Sequence, residues 1–327
     1  MKITNIEIEY EEHNYGCNPC SEIILRDKQF CNLTEVVVRP DDTLDSLKRK
    51  VRIASFLGTL QSTLTGFRYL SSAWERNTSE ERLLGVSLTG IMDHPIMSRN
   101  NDVGNALSTW LVQLKQEAIN ENKAWAESLG IPQSAAITCV KPSGTVSQLV
   151  DSSSGIHPRY SRYYIRTVRN SKTDPLAKML QDQGIPVEDS ISAPSTTSIF
   201  SFPMRAPELG VLRDQVSAIE QLELWKIYQE YWCEHKPSIT VYVRENEWLA
   251  VGAWVYDNFD IVSGVSFLPY DNGTYKQAPY QEITKEKYEE LVAKMPTIDW
   301  TKLKDYETED CTENTKELAC SAGVCEI

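Results

Sequence analysis

No apolar run in this chain approaches the ~20 residues needed to cross a bilayer; stretches such as Ala135–Val140 are its longest. Nor is a signal peptide evident, because Met1–Tyr10 alternates charged residues with isoleucine and lacks an unbroken apolar core. Basic charge is also short: 33 Lys and Arg stand against 46 Asp and Glu, a formal net charge of -13. That balance argues against a duplex-DNA binder, whose phosphates demand clustered cations. Gly and Pro are at ordinary levels, 15 each, and no segment is of low complexity, which removes the disordered and fibrous classes. What remains is a soluble, cytoplasmic chain of 327 residues, enough for roughly two domains at ~150 residues each.

Eight cysteines are too sparse for a small disulfide scaffold, and without a secretory signal their thiols are expected to stay reduced. Their placement is uneven. Cys17, Cys20 and Cys31 lie near one end, Cys311, Cys320 and Cys325 near the other, and only Cys139 and Cys233 between. Structural cysteines would be scattered through core elements, so this distribution points to chemistry.

Periodicity predicts helices over Asp42–Tyr69, Ser79–Met92 and Asn101–Ser128. The first follows an Asp41-Asp42-Thr43 start signal, the second a capping-box-like Thr78–Arg82 entry. In the third, Val103, Ala106, Leu107, Trp110, Leu111, Leu114 and Ala118 form one apolar face, a core-packing pattern with no functional content. Glu22–Leu25 and Glu35–Arg39 read as strand-like. Beyond Gly130 strands are predicted at Ala135–Val140, Tyr163–Val168, Thr197–Phe202, Ser238–Arg244 and Ile261–Phe267, with helices at Pro175–Gln183, Gln215–Trp232 and Asn246–Tyr256. Strands spaced by helices in this way imply a parallel α/β arrangement.

Several residue groups have chemical potential. Cys320 and Cys325 are separated by a Ser321-Ala322-Gly323-Val324 spacer that lets the chain fold back to disulfide distance, so the pair suits thiol–disulfide exchange. A zinc knuckle joining them to Cys17 and Cys20 is the alternative, although the spacing departs from that of usual knuckles. Asn18-Pro19-Cys20-Ser21-Glu22 places a sulfur, a carboxylate and an amide on one proline turn, with Cys31 eleven residues on. On spacing alone, Cys17 and Cys20 remain equally open to reading as a redox pair or half a metal site. The third group, Lys141-Pro142 followed by Ser143, Gly144, Thr145, Val146 and Ser147, comes after the Ala135–Val140 strand as a hydroxyl-rich loop suited to a phosphate or to an ordinary turn. It lacks Walker spacing.

Taken together, Asn18/Cys20/Glu22, Phe30–Leu33, Pro142–Ser147, Ser153–Pro158 and the Cys-x4-Cys terminus resemble the catalytic subunit of ribonucleotide reductases. Arg166–Pro175 and the tail spacing are most similar to the monomeric, adenosylcobalamin-dependent ribonucleoside-triphosphate reductases. The resemblance implies an α/β fold: the second half of a ten-stranded barrel with a finger loop, plus a flexible C-terminal tail. The corresponding divisions are a non-family leader at 1–16, a catalytic half-barrel at 17–305 and a redox tail at 306–327. It further implies that Cys20 carries the thiyl radical, Glu22 accepts the substrate 3′-hydroxyl proton, Asn18 holds the hydroxyls and Cys31 is one of the reducing thiols. Ser143–Ser147 matches the substrate phosphate cradle. Cys320 and Cys325 match the tail dithiol reduced by thioredoxin. The implied cofactor is adenosylcobalamin; no other metal is expected, and His13, His94, His157 and His235 show no cobalamin-binding motif.

The partner thiol of Cys31 belongs, in that family, to the first half-barrel, which Met1–Gly16 does not supply. The expectation is therefore a second half that needs a separate N-terminal half, whether through a split gene or an intron- or intein-interrupted one, with an inactive remnant as the alternative. Alone, such a half would expose strand edges and be poorly soluble and inactive.

Overall fold

A computed structural model describes residues 14–98, 105–144, 146–270 and 276–307, together with the backbone of 320, 321, 324 and 325. Thr145, most of the leader 1–16, the start of the Asn101–Ser128 helix, and the tail apart from 306, 307 and those four residues lie outside the described residues.

The chain enters as a hairpin, β1 (Tyr15–Cys17) against β2 (Ile24–Arg26), with Cys17 opposite Ile24. Asn18-Pro19 bends its tip, where the Ser21 N–H donates to the Asn18 carbonyl at 2.9 Å. Strand β3 (Asn32–Val37) leads into α1 (Leu44–Gln61), which begins where the start signal placed it: Thr43 caps the helix reciprocally with Ser46. The helix is shorter than expected at its C-terminal end.

The predicted helix over Ser79–Met92 is corrected. Helix α2 (Ser72–Glu81) stops at Arg82, whose left-handed φ of 44° ends it, and β4 (Leu84–Thr89) follows with every residue buried. Thr78 is thus inside α2 rather than at its entry, and the N-cap is Ser71. A short apolar run buried on both faces is a central strand that helical periodicity does not distinguish. Helix α3 (Ala106–Leu129) buries Leu107, Leu111, Leu114 and Ala118, as its apolar stripe required. Its Asn122 is buried because its amide donates to the Thr59 and Ser134 hydroxyls at 2.8 and 3.0 Å.

Strand β5 (Thr138–Cys139) completes a parallel β3-β4-β5 sheet. After the short α4 (Val146–Leu149), β6 (Tyr163–Ser171), α5 (Pro175–Asp182), β7 (Val187–Asp189) and β8 (Thr197–Arg205) follow in order. Helix α6 (Ala218–Tyr231), capped reciprocally by Ser217 and Glu220, then leads to β9 (Ile239–Val243), α7 (Trp248–Asp257) and β10 (Val265–Pro269). β9 and β10 pair in parallel, and a parallel Val140–Pro237 bridge joins β9 to the first sheet. The parallel row thus runs β3-β4-β5-β9-β10, with no closed barrel among the described residues.

The parallel expectation fails for the strands at Tyr163–Val168 and Thr197–Phe202. β6 and β8 pair antiparallel, with Val168 opposite Phe200, inside a separate β11-β6-β8-β7 sheet completed by β11 (Tyr280–Glu282). Here α5 packs on the sheet through Ala177, Met179 and Leu180 against Phe200, in a core of its own, instead of serving as a right-handed crossover to a parallel neighbour. Helices α8 (Lys285–Lys294) and α9 (Leu303–Tyr306) flank it, and Leu303 and Tyr306 of α9 pack on that core. β12 (Cys320–Ser321) and β13 (Val324–Cys325) form an antiparallel hairpin in which Cys320 lies opposite Cys325. No helix among the described residues is long and apolar enough to cross a membrane.

Side-chain alternation gives the parallel row two faces. Val36, Val38, Leu84, Val86, Leu88 and Val140 point into the main core with α1, α3 and α6. Trp225 and Trp232 of that core are fully buried and donate their indole N–H groups to the carbonyls of Pro237 and Cys139, each at 2.8 Å, at the junction of β5 and β9. The opposite face carries Leu33, Glu35, Gly85, Ser87 and Cys139.

At the carboxyl end of this row, Asp93 is clamped by Arg159: Nε and Nη2 donate to its two oxygens at 3.0 and 2.9 Å, and the Ser153 N–H adds a third bond at 2.8 Å. Both side chains are buried. Asp93→Ala removes both bonds of the clamp and leaves the buried guanidinium to the largely exposed Asp151, 3.1 Å from Nη1, so it should lower unfolding free energy by about 3 kcal/mol, measured as a shift in the urea midpoint.

Candidate active site

The β1–β2 hairpin tip delivers Asn18, Cys20 and Glu22 to the inner face of the parallel row. Asn18 is locked at both ends of its amide: Oδ1 accepts from the Ile23 N–H at 3.0 Å and Nδ2 donates to Glu22 Oε1. Glu22 has no exposed surface, and its main-chain carbonyl accepts from the Lys236 N–H at 3.0 Å, tying the tip to the segment before β9. The Lys141 ammonium contacts the same Oε1. The second oxygen, Oε2, is buried and makes no hydrogen bond among the described residues. Such an oxygen keeps its lone pairs free to accept a proton. Burial works against charge on Lys141, but Glu22 overrides it and holds the ammonium above its ordinary value.

Cys31, immediately before β3, is partly buried beside this pair. Burial pushes its thiol up to about 12, with Lys141 opposing and Glu22 adding. Cys139 is fully buried and likewise raised by burial, with Cys31 the next contributor. Both sulfurs overhang Gly85: a Cβ there would lie 3.2 Å from Cys31 Sγ and 3.4 Å from Cys139 Sγ. Yet β4 stands between the two backbones, separating them by at least two strand spacings, ~9.5 Å, with a further stagger along the strands. A disulfide needs a Cα separation below ~7 Å, so Cys139 and Cys31 cannot form one while the sheet is intact.

The hydroxyl-rich loop starts one residue past Pro142. Ser143 adopts a left-handed φ of 56° and donates its hydroxyl to Glu35 at 2.7 Å. Burial raises the Glu35 carboxyl, against the Ser143 bond and Lys141. Ser147 is fully buried, its hydroxyl engaged with the Ser143 carbonyl and with Ser154 Oγ at 2.8 Å. It therefore shapes the loop from beneath. Gly144 turns the chain and Val146 is exposed at the start of α4; Thr145 lies outside the described residues.

Beyond Ser154 a cavity of about 40 Å³ opens between Ser152, His157, Arg213, Tyr242 and Tyr280. The Arg213 guanidinium stacks 3.6 Å above the Tyr160 ring. His157 is held neutral by burial, down to about 4, against a bond to the Ser154 carbonyl; its other nitrogen accepts from the Thr240 N–H. His94 and His235 likewise spend ring nitrogens on the backbone. No described histidine is thus posed as a cobalt ligand, and no cluster of three metal-ligating side chains exists among the described residues.

The structure therefore brings Asn18, Cys20, Glu22 and Cys31 together, with Ser143 on the same side through Glu35 and Lys141. The sequence motifs did not single out Lys141, Glu35, Cys139 or Gly85 as site residues. Their signal was strand alternation: Cys139 and Lys141 are two positions apart on one face.

No family model matches the chain. Curated relatives do. It is 34% identical over 284 residues to the adenosylcobalamin-dependent ribonucleoside-triphosphate reductase of Euglena gracilis, covering 86% of this chain and 38% of that protein. It is 30% identical to the probable enzyme of that name from Dictyostelium discoideum, over 98% of this chain and 41% of that one. The crystal structure of a B12-dependent (class II) ribonucleotide reductase superposes with a TM-score of 0.73 at 25% identity, over 91% of this chain and 44% of that one. The chain thus spans less than half the length of the relatives it matches.

Thiol environment sets an order of reactivity. In timed alkylation read by mass spectrometry, exposed Cys17 should label ahead of Cys31, while buried Cys139 and Cys233 stay unmodified. Because a thiol near 12 is mostly protonated at neutral pH, the Cys31 rate should climb about tenfold per pH unit through the alkaline range.

Proposed function

We propose, from the premise that this chain belongs to the adenosylcobalamin-dependent ribonucleoside-triphosphate reductases as a homologue of their C-terminal part, that it forms the thiol-bearing half of a site reducing ribonucleoside triphosphates to 2′-deoxyribonucleoside triphosphates. The observation that carries this reading is the Glu22 carboxylate, anchored through one oxygen and open at the other, on the same hairpin tip as Cys20 and beside Cys31.

Adenosylcobalamin, when bound, supplies the one-electron chemistry that removes the hydrogen atom of the Cys20 thiol. The Cys20 sulfur then takes the 3′-hydrogen of the ribose. Glu22 Oε2 receives the 3′-hydroxyl proton while Asn18 holds the substrate hydroxyls, and the 2′-hydroxyl leaves as water. Cys31 and a second thiol provide the two electrons and end as a disulfide. The cradle at Ser143–Ser147 orients the phosphates through its backbone and the Ser143 hydroxyl, which Glu35 must release. Cys320 and Cys325, opposite each other in the β12–β13 hairpin, return the disulfide to thiols and are themselves reduced by thioredoxin.

The second thiol comes from a separate N-terminal half. Among the described residues the parallel row ends in unpaired edges at β3 and β10, and α1 exposes Ile53, Leu57 and Leu60 as an apolar stripe. A complementary half-barrel would cover both and complete ten strands. In this reading 1–16 is a leader, 17–305 the catalytic half and 306–327 the redox tail of a cytoplasmic enzyme.

The test is cytidine triphosphate reduction by this chain combined with an N-terminal half, adenosylcobalamin and a small dithiol. Turnover should appear and fall by at least about 1,000-fold in Cys20→Ser. Cys320→Ser and Cys325→Ser should abolish turnover driven by thioredoxin and spare turnover driven by the small dithiol. Full activity in Cys20→Ser would refute the assignment.

A further inference from the structure

We infer that Lys141 is the positioning residue of this site: its ammonium fixes one oxygen of the Glu22 carboxylate, so that the other oxygen is the one left without a partner to accept a proton. The inference deepens the reading of Glu22 as a base, and rests on it, while naming a residue that the motif resemblance does not assign.

Glu22 has 0% exposure. A carboxylate so deprived of water gives up its charge unless a cation compensates it. The groups facing it come from every neighbouring element. Asn18 donates a neutral amide from the hairpin, and Lys236 offers its backbone N–H. Cys20, Cys31, Cys139 and His235 complete the surroundings, the histidine lowered by burial, and Glu35 faces Lys141 from β3. Among these side chains only Lys141 is a cation at neutral pH.

Its delivery is rigid. The Lys141 N–H donates to Ser87 Oγ at 2.9 Å, Pro142 is buried directly behind it, and its side chain is 22% exposed. A residue before proline has few backbone options, so the ammonium reaches Oε1 from a fixed base. Two donors on one oxygen determine which oxygen is left over.

Thermal melts from about pH 5 to about pH 9 on wild type, Lys141→Met, Lys141→Arg and Lys141→Met/Glu22→Gln test this without measuring turnover. In Lys141→Met the folded carboxylate should hold its proton more tightly than the unfolded one, so stability is present at low pH and lost as pH rises. The expected result is a melting point that falls relative to wild type by at least about 4 °C across this range, with arginine restoring the wild-type profile and glutamine at position 22 flattening it. If Lys141→Met fails to fold at the upper pH, folding of the double variant there gives the same support. A Lys141→Met profile parallel to wild type, a slope that Glu22→Gln leaves in place, or equal loss of folding in both variants would overturn the inference. Failure of the reductase assay would leave the melting result untouched, so the failure of one reading is distinguishable from the failure of the other.

Discussion

A carboxylate withdrawn from water must be compensated where it sits, and in this fold the contact between Glu22 and Lys141 does so while joining two distant parts of the chain. Glu22 rides on the tip of a short hairpin whose strands are largely exposed. Lys141 leaves the carboxyl end of β5. The Lys236 N–H bond, the packing of Ile23 and Leu25 beside Leu83 and Cys139, and the Arg26 pairs with Glu80 and Glu81 hold the rest of the hairpin in place. The arrangement of Asn18, Cys20 and Cys31 follows from the Glu22–Lys141 contact, because the amide bonds the same carboxylate and the Cys31 thiol feels both charges.

Much of the site was legible because its residues are close in sequence. Asn18, Cys20 and Glu22 share one turn, and proline with asparagine announces a loop. The longer helices were legible too: Thr43 and the Leu107–Ala118 stripe carry local signals that the structure uses as written. The failures have physical causes. Leu84–Thr89 is apolar without alternation because both its faces are buried, so it imitates part of a helix until Arg82 breaks the preceding one. The antiparallel pairing of β6 with β8 depends on α5 closing a small core of its own with Phe200 and Ile185, a long-range choice invisible in any window of sequence. Gly85 and Lys141 matter only once strands are side by side.

The inner face also shows how a sheet limits its own chemistry. By lacking a side chain, Gly85 lets thiols from either side lean over β4, yet the presence of β4 keeps their backbones apart. Proximity of sulfur atoms is therefore compatible with lasting reduction. Among the described residues, β3 has no neighbour on its outer edge.

The seam between β5 and β9 holds the Val140–Pro237 bridge, with the Val140 N–H donating to the Lys236 carbonyl at 3.3 Å and the Ser238 N–H to the Val140 carbonyl at 2.9 Å, and it is at this seam that Trp225 and Trp232 fasten their indoles to the carbonyls of Pro237 and Cys139. Two of the chain's eight tryptophans are therefore fully buried at this seam, so parting its strands would move both indoles from an apolar setting toward water and shift their share of the molecule's ultraviolet emission.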